Sequence, residues 1–98
     1  MNLIIYKKYN EYYLPKEVFH KFIKECKKTK NVIYGFDVFK KLKKGEVNVE
    51  IADFSKSKNP EFDYDYAIKL SDKFVEIYNG NKLLFVHIVE DETIFKNS

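Results

Sequence analysis

Two histidines and one cysteine have the widest chemical range of any residues in this chain, because each can bind a metal or take part in catalysis. His20 and His87 have no cysteine or acidic partner at a recognised metal-ligand spacing. Cys26 has no companion at CxxC spacing, and its apolar surroundings favour a small core side chain over a nucleophile. No metal site, cofactor or catalytic residue is therefore predicted.

Three carboxylates of a predicted hairpin, Asp37, Glu50 and Asp53, could converge and perform acid–base chemistry. The sequence offers no accompanying pocket signature, no glycine-rich phosphate loop and no GxSxG motif. Carboxylates on an exposed sheet face are usually solvated. The sequence therefore favours a protein that binds another macromolecule, and it predicts that the chain is not an enzyme.

The charge of the chain is polarised, although its net value is only +3. Residues 1–45 contain twelve lysines and four carboxylates (+8), whereas residues 46–98 contain six lysines and eleven carboxylates (−5). The lysine clusters at 27–30 and 40–44 can neutralise phosphates, so a small nucleic-acid-binding regulator is the alternative function. The absence of arginine, the usual bidentate reader of phosphate and guanine, weighs against that alternative.

An acidic and aromatic segment lies in the second half of the chain. Glu61, Asp63 and Asp65 alternate with aromatic residues, and Asp53 and Phe54 precede them across one loop. Carboxylates beside aromatic side chains are typical of a surface that enters a basic groove on a partner protein. Favourable charge at a helix N-terminus, combined with core aromatic residues, explains the same pattern. The sequence leaves both interpretations open.

The first half of the chain predicts a strand, a helix and a second strand. Residues 3–6 are a short β-prone run, and Pro15 marks the first turn of a helix. From Asn31 the apolar spacing changes to period two, which places Tyr34 and Phe36 on one face of a strand. The helix is indicated by apolar residues at offsets of three and four: Val18, Phe19, Phe22, Ile23 and Cys26.

The later strands are predicted from two segments. The polar residues 40–45 turn the chain into a strand in which Val47, Val49 and Ile51 alternate with polar residues, giving a hairpin. Residues 82–89 are an almost continuous apolar run, which is typical of a central strand buried on both faces. The residues after Asp91 are expected to fray.

A second helix is favoured after the loop at residues 55–60. Asn59 is a suitable N-cap, and Pro60 suits the first helical position. Residues 64–70 and 73–78 also fit two strands, because residues 64–70 alternate and the Asn79-Gly80 pair that follows is a strong hairpin signal. The helix is supported by apolar residues at near-heptad spacing: Ala67, Leu70, Phe74 and Ile77.

The resulting order, β-α-β-β-α-β, predicts an α+β fold. Two helices would cover one face of a four-stranded, mostly antiparallel sheet in a two-layer sandwich. Residues 1–98 are long enough for one core and are expected to form one domain. The sequence predicts a cytoplasmic protein without a membrane partner. It has a single cysteine, Lys7 and Lys8 interrupt the first apolar run, and every apolar run is far shorter than the roughly 20 residues that cross a bilayer.

Four short motifs follow one another between residues 15 and 90. They are GFDVF at 35–39, a charged hairpin at 40–45, ADFS at 52–55 and LLFVHIV at 83–89. Their order and spacing resemble bacterial immunity proteins of immunity protein family 40. Proteins of that family have a strand similar to GGDVY, followed by a charged hairpin and an Asp-Asn-aromatic segment. A tyrosine-rich helix and a strand similar to LFVLV come after these.

The resemblance implies that the chain inhibits a toxin delivered by contact-dependent inhibition or by a colicin-type system. The toxin would be a basic nuclease domain of the tRNase type, bound one-to-one and blocked by an acidic and aromatic surface. No nucleic-acid partner is then expected, and the lysine-rich hairpin 40–44 is the alternative contact if the toxin is acidic. The predicted contact residues are Asp37, Glu50, Asp53, Phe54, Glu61, Asp63, Tyr64 and Asp65.

Overall fold

A five-stranded sheet with two long helices on one face makes up the structure, a computed structural model that describes residues 6–8 and 11–96. Along the chain the elements are β1 (Tyr6–Lys8), β2 (Glu11–Pro15), α1 (Lys16–Thr29), β3 (Ile33–Lys41), β4 (Glu46–Asp53), α2 (Pro60–Ile77), β5 (Leu83–Val89) and α3 (Thr93–Lys96). The strand order is β1-β2-β5-β3-β4, and every neighbouring pair is antiparallel. The predicted α+β class and its alternation of strands and helices are confirmed.

The N-terminal part of the sheet contains one strand more than the sequence indicated. β2 pairs with β1 on one side and with the central strand β5 on the other. Its five residues end on Pro15 and are too few to show a clear alternation. The strand predicted at residues 3–6 lies outside the described residues, except for Tyr6, which begins β1.

The first helix forms where the apolar spacing predicts it. α1 follows Pro15, whose φ of −59° suits a helix start. Glu17 in the first turn and Lys27 and Lys28 in the last turn complement the helix dipole. Lys30, in the left-handed conformation, ends the helix. The predicted apolar residues are all buried: Val18, Phe19, Phe22, Ile23 and Cys26.

The second helix is also present, so the two-strand alternative for residues 64–78 is wrong. The side chain of Asn59 accepts a hydrogen bond from the N–H of Phe62 at 3.2 Å, and Pro60 occupies the first turn. The buried stripe is rotated relative to the predicted one, because Ile77 is 56% exposed. The buried residues of α2 are Asp63, Tyr64, Ala67, Ser71 and Phe74.

A β-bulge in β3 changes which of its residues face the core, relative to the prediction. Between Ile33 and Gly35 the strand advances two residues while β5 advances one, so Tyr34 is an extra residue. Ile33 and Phe36 are therefore both in the core while Tyr34 is exposed, and the prediction that Tyr34 and Phe36 share a face is wrong. Gly35 has a φ of 156° and lies so close to β4 that a Cβ atom there would overlap the carbonyl oxygen of Ala52.

The core lies between the helices and the sheet, and β5 is its central strand. Phe85 packs with α1 and α2 residues in the main apolar cluster, while Leu84 and Val86 pack with Tyr13 on the opposite face of the sheet. Burial on both faces explains the continuous apolar run of this strand. β4 lies at the edge of the sheet, and Ile51 on it is 69% exposed.

Residues 93–96 form a short helix, α3, that packs against the core. Phe95 of α3 is buried, and its ring stacks on Tyr12 at 4.3 Å and on Phe22 at 5.2 Å between ring centroids. The expectation of a frayed tail after Asp91 is therefore wrong over residues 93–96, because Phe95 belongs to the core. Within the described ranges, no helix has the length and apolar character needed to cross a lipid bilayer.

Candidate functional site

The structure separates the eight predicted contact residues into three groups. One group is buried, one lies on the sheet, and one is exposed at the start of α2. The groups are Phe54, Asp63 and Tyr64 (buried), Asp37, Glu50 and Asp53 (sheet), and Glu61 and Asp65 (α2). They do not form the continuous surface that the sequence suggested.

The buried group holds the fold together and offers no contact surface. The hydroxyl of Tyr64 donates a hydrogen bond to the backbone oxygen of Asn31 at 3.0 Å. Asp63 accepts one from the hydroxyl of Ser57 at 2.8 Å, which ties the loop before α2 to the helix. Phe54 packs in the main apolar cluster. Burial therefore leaves little of these three side chains accessible to a partner protein.

Two aromatic rings on α2 are exposed in their place. Phe62 is 57% exposed and Tyr66 is 41% exposed, and their rings stack with centroids 5.4 Å apart and planes 19° apart. Tyr66 also contacts the buried ring of Phe54 at 6.0 Å, which anchors the exposed pair to the core. We call Phe62 and Tyr66 the α2 aromatic pair. Large rings on a solvent-facing helix are more typical of a binding surface than of a helix that only covers a core.

Two carboxylates flank the α2 aromatic pair. Glu61 and Asp65 are exposed and lie one helical turn apart, and both approach the ammonium group of Lys27 on α1, at 3.6 Å and 3.5 Å respectively. Ion pairs at such exposed positions contribute about 0–1 kcal/mol. The two carboxylates and the one ammonium group leave one net negative charge in this cluster.

Asp53 continues the acidic surface at the end of β4. It is exposed, and hydrogen bonds from the hydroxyl and the backbone amide of Ser55 lower the pKa of its carboxyl group. The amide bond measures 2.9 Å between the Ser55 nitrogen and the Asp53 oxygen. Asp53 therefore carries its negative charge firmly at neutral pH, immediately before the residue that supports Tyr66.

Asp37 and Glu50 lie on opposite faces of the sheet, so the hairpin carboxylates do not converge as an acid–base pair would require. Asp37 pairs with Ile51 on β4, and the next residue, Val38, pairs with Glu50. Glu50 accepts a hydrogen bond at 2.9 Å from the hydroxyl of Tyr78, and this bond raises the pKa of Tyr78. Asp37 shares its face with Asp53, two positions along the hairpin.

The histidines and the cysteine have structural surroundings. Nε2 of His20 lies 2.9 Å from the carboxylate of Asp72, an exposed contact between α1 and α2. His87 is buried among aromatic rings, and burial lowers its pKa to about 3. Burial raises the pKa of the Cys26 thiol to about 12, which keeps it protonated and unreactive. Among the residues that the structure describes, no group of three or more His, Cys, Asp or Glu side chains could hold a metal ion.

An open pocket of about 340 Å³ lies at the C-terminal end of α1. Its lining includes Lys30, Asn31 and Asp91. The side chain of Asn31 donates to the backbone oxygen of Asp91 at 2.8 Å and accepts from its N–H at 2.9 Å. The side chain of Asn31 thus joins the residues after α1 to the chain after β5.

The α2 aromatic pair was within reach of the sequence but was not selected by it. On a helix that begins at Pro60, Phe62 and Tyr66 are four residues apart and share one face, whereas Tyr64 aligns with Ala67 on the buried face. Helical spacing applied to each aromatic residue separately would have distinguished them. Comparison of the chain with protein-family models, with curated proteins and with solved structures found no match.

Proposed function

We propose that this protein is a cytoplasmic immunity protein that binds a cognate bacterial toxin one-to-one and blocks its nuclease domain. The observation that carries the proposal is the exposed and stacked α2 aromatic pair, flanked by Glu61 and Asp65. The resemblance of the hairpin and last-strand motifs to immunity protein family 40 supports the same function. In this proposal the chain inhibits an enzyme and has no catalytic role of its own.

The proposed contact combines an apolar anchor with negative charge. Phe62 and Tyr66 would fill a hollow on the toxin, and such buried aromatic anchors supply most of the binding energy of an interface. Glu61, Asp65 and Asp53 would occupy positions at which a nuclease holds RNA phosphates, and they would speed the encounter with a basic surface. About 800 Å² per partner and a nanomolar Kd are the expected scale.

Lys27 makes the charge of this surface adjustable. Its ammonium group already lies near both α2 carboxylates, so a toxin lysine or arginine would compete with it. Because the contact is exposed, displacing Lys27 costs little. An arginine can bridge two carboxylates through its planar fork of donors, an arrangement that the single point charge of Lys27 does not provide.

The test is a titration of the purified protein against the C-terminal domain encoded by the gene immediately upstream. Heat of binding and residual tRNA cleavage are measured together. We expect one-to-one binding with a nanomolar Kd and loss of cleavage. Phe62→Ser and Tyr66→Ser should each weaken binding about 10- to 100-fold while thermal unfolding changes little, since both rings are exposed.

Ile77→Ser is the matched control. Like Phe62 and Tyr66, Ile77 is a large exposed hydrophobic residue of α2. It lies eleven residues beyond Tyr66, or roughly 16 Å along the helix axis. It should bind like the wild type. Equal losses in all three variants would show that the effect is not specific to the α2 aromatic pair, and no binding by the wild type would refute the immunity function for this locus.

Nucleic-acid binding remains the second candidate, because α1 exposes a row of lysines. Lys21, Lys24 and Lys28 are all exposed on that helix, away from its buried stripe. A surface of this kind binds phosphates with an affinity that falls steeply with salt and does not depend on sequence. Titration of unrelated RNA at 50 mM and 200 mM salt separates the two functions: tight, salt-steep binding favours the lysine surface.

A further inference from the structure

The free edge of β4 is a second feature that a partner can use. β4 pairs only with β3 in the described sheet and forms its edge. The N–H of Phe54 donates to the carbonyl oxygen of Tyr34, and backbone groups alternate along an antiparallel strand. The backbone of Ala52 therefore points toward β3, whereas the backbone groups of Ile51 and Asp53 point outward at the edge.

A bulge limits the usable edge to its C-terminal half. The register between β3 and β4 shifts between Val38 and Phe39, where Val49 is the extra residue of β4. Bulges interrupt the regular row of donors and acceptors on an edge strand. The remaining stretch, Glu50 to Asp53, is extended and regularly paired with β3.

The charge of β4 decides which kind of strand fits this edge. β4 contains Glu46, Glu50 and Asp53 and no basic residue. An antiparallel pair of two copies along this C-terminal half would bring four carboxylates onto the two paired strands, Glu50 and Asp53 from each copy. Like charges on facing strands are destabilising, so a second copy is disfavoured and a basic segment is favoured.

We infer that the C-terminal half of the β4 edge accepts an extended basic segment of the toxin as a sixth strand of the sheet, an inference that rests on the proposed function. Ile51 and Asp53 have outward-facing backbone groups and side chains on the face opposite the helices. The segment would place a lysine or arginine opposite Asp53 and an apolar side chain opposite Ile51, which is 69% exposed. A second basic residue would lie opposite Glu50. Main-chain bonds supply affinity and the alternating side chains supply selectivity.

This edge leads directly into the surface of the proposed function. β4 ends at Asp53, and the next residue, Phe54, supports Tyr66 of the α2 aromatic pair. A toxin that covers the aromatic pair would therefore have the β4 edge beside it. A strand paired with four residues spans roughly 13 Å, which adds to an interface without replacing its aromatic anchor.

Amide hydrogen exchange of the wild-type protein, alone and with the upstream-encoded toxin domain, tests the inference. We expect the amides of Ile51 and Asp53 to exchange at least 100-fold more slowly in the complex. The amide of Ala52 already faces β3 and is the internal control, so its protection should change far less. A complex that forms without slowing exchange at Ile51 and Asp53 overturns the edge inference and leaves the proposed function intact.

A proline variant provides an independent measurement. Ile51→Pro removes the outward N–H at an edge position that can tolerate proline, and Ile51→Ala removes the side chain but keeps the N–H. Both must retain the wild-type circular dichroism spectrum. We expect a Kd at least tenfold weaker for Ile51→Pro than for Ile51→Ala, and equal values contradict strand addition. Absence of binding by the wild type refutes both proposals, and a free protein that dimerises with a protected Ile51 amide refutes the basic occupant.

Discussion

The buried imidazole of His87 should make the stability of this protein depend on pH, and the dependence can be removed by one substitution. His87 lies on β5 with its ring centroid 4.6 Å from that of Phe22, 5.3 Å from Phe36 and 5.4 Å from Phe19. Neither ring nitrogen has a hydrogen-bond partner among the described residues. A charge at this position would be desolvated and unpaired, so burial lowers the pKa to about 3 from an ordinary value of 6.5.

The sign and size of the effect follow from proton linkage. In the unfolded chain the imidazole takes up a proton as the pH falls through 6.5, whereas in the folded protein it remains neutral down to a pH of about 3. Stability is therefore fully present above pH 6.5 and is lost as the pH falls from 6.5 toward 3. The loss is about 1.4 kcal/mol per pH unit, or about 2 kcal/mol between pH 7 and pH 5. Any folded-state pKa below about 4 gives nearly the same figure over this interval.

His87→Leu is the informative variant, because leucine fills a similar volume without polar atoms. At pH 7 it should raise the free energy of unfolding by about 1–3 kcal/mol, since two unsatisfied buried nitrogens are removed. Between pH 7 and pH 5 the wild type should lose about 2 kcal/mol more than the variant, a shift on the order of 1 M in the urea midpoint. The carboxylates are the same in both proteins and contribute equally to their loss of stability, so they do not affect the difference in unfolding free energy between the two proteins.

Urea unfolding followed by far-ultraviolet circular dichroism at pH 7, 6 and 5 measures this difference. Tyrosine fluorescence is a second probe, because the chain contains eight tyrosines and no tryptophan. Parallel losses of stability in the wild type and in His87→Leu would refute the reasoning. They would mean that the imidazole takes up its proton in the folded state, and hence that it reaches water or a partner group.

Two further substitutions test the local geometry. Gly35→Ala should destabilise the fold by at least about 2 kcal/mol in urea unfolding, because its φ of 156° disfavours other residues and a Cβ atom would overlap the Ala52 carbonyl oxygen; a smaller loss would show that the bulge can relax. Tyr64→Phe should cost about 1–2 kcal/mol by leaving the buried backbone oxygen of Asn31 without its donor. Its Kd for the toxin domain should match the wild type, and a weaker Kd would return Tyr64 to the contact surface.

The elements of the fold were predictable wherever a local signal sufficed. α1 was defined by Pro15 and by five apolar residues at helical spacing, and all five are buried. Asn59 and Pro60 marked the start of α2, and the apolar run at 82–89 indicated the central strand. β2 escaped prediction because five residues ending in proline show little periodicity. α3 escaped because Phe95 becomes a core residue only when Tyr12 and Phe22 are brought beside it.

The candidate site was predictable in composition but not in detail. The sequence identified the acidic and aromatic segment, and the structure retains Glu61 and Asp65 at its surface. It selected Tyr64 and Phe54, which are buried, whereas Phe62 and Tyr66 of the same region are exposed. The sequence analysis grouped the carboxylates with the aromatic residues between them, whereas a helix distributes consecutive residues around its circumference.

The sequence by itself determined the α+β class, the positions of both long helices, the central strand and the polarity of charge. Each of these depends either on the spacing of residues close together in the chain or on a count of charged residues. Both can be read directly from the sequence. Only the tertiary structure decided that Asp37 and Glu50 lie on opposite faces, that Tyr34 is extra in β3 and that His87 is enclosed by phenylalanine rings. Strand order, register and bulges set these relations between distant residues, and a shift of one residue in register moves a side chain to the other face of the sheet.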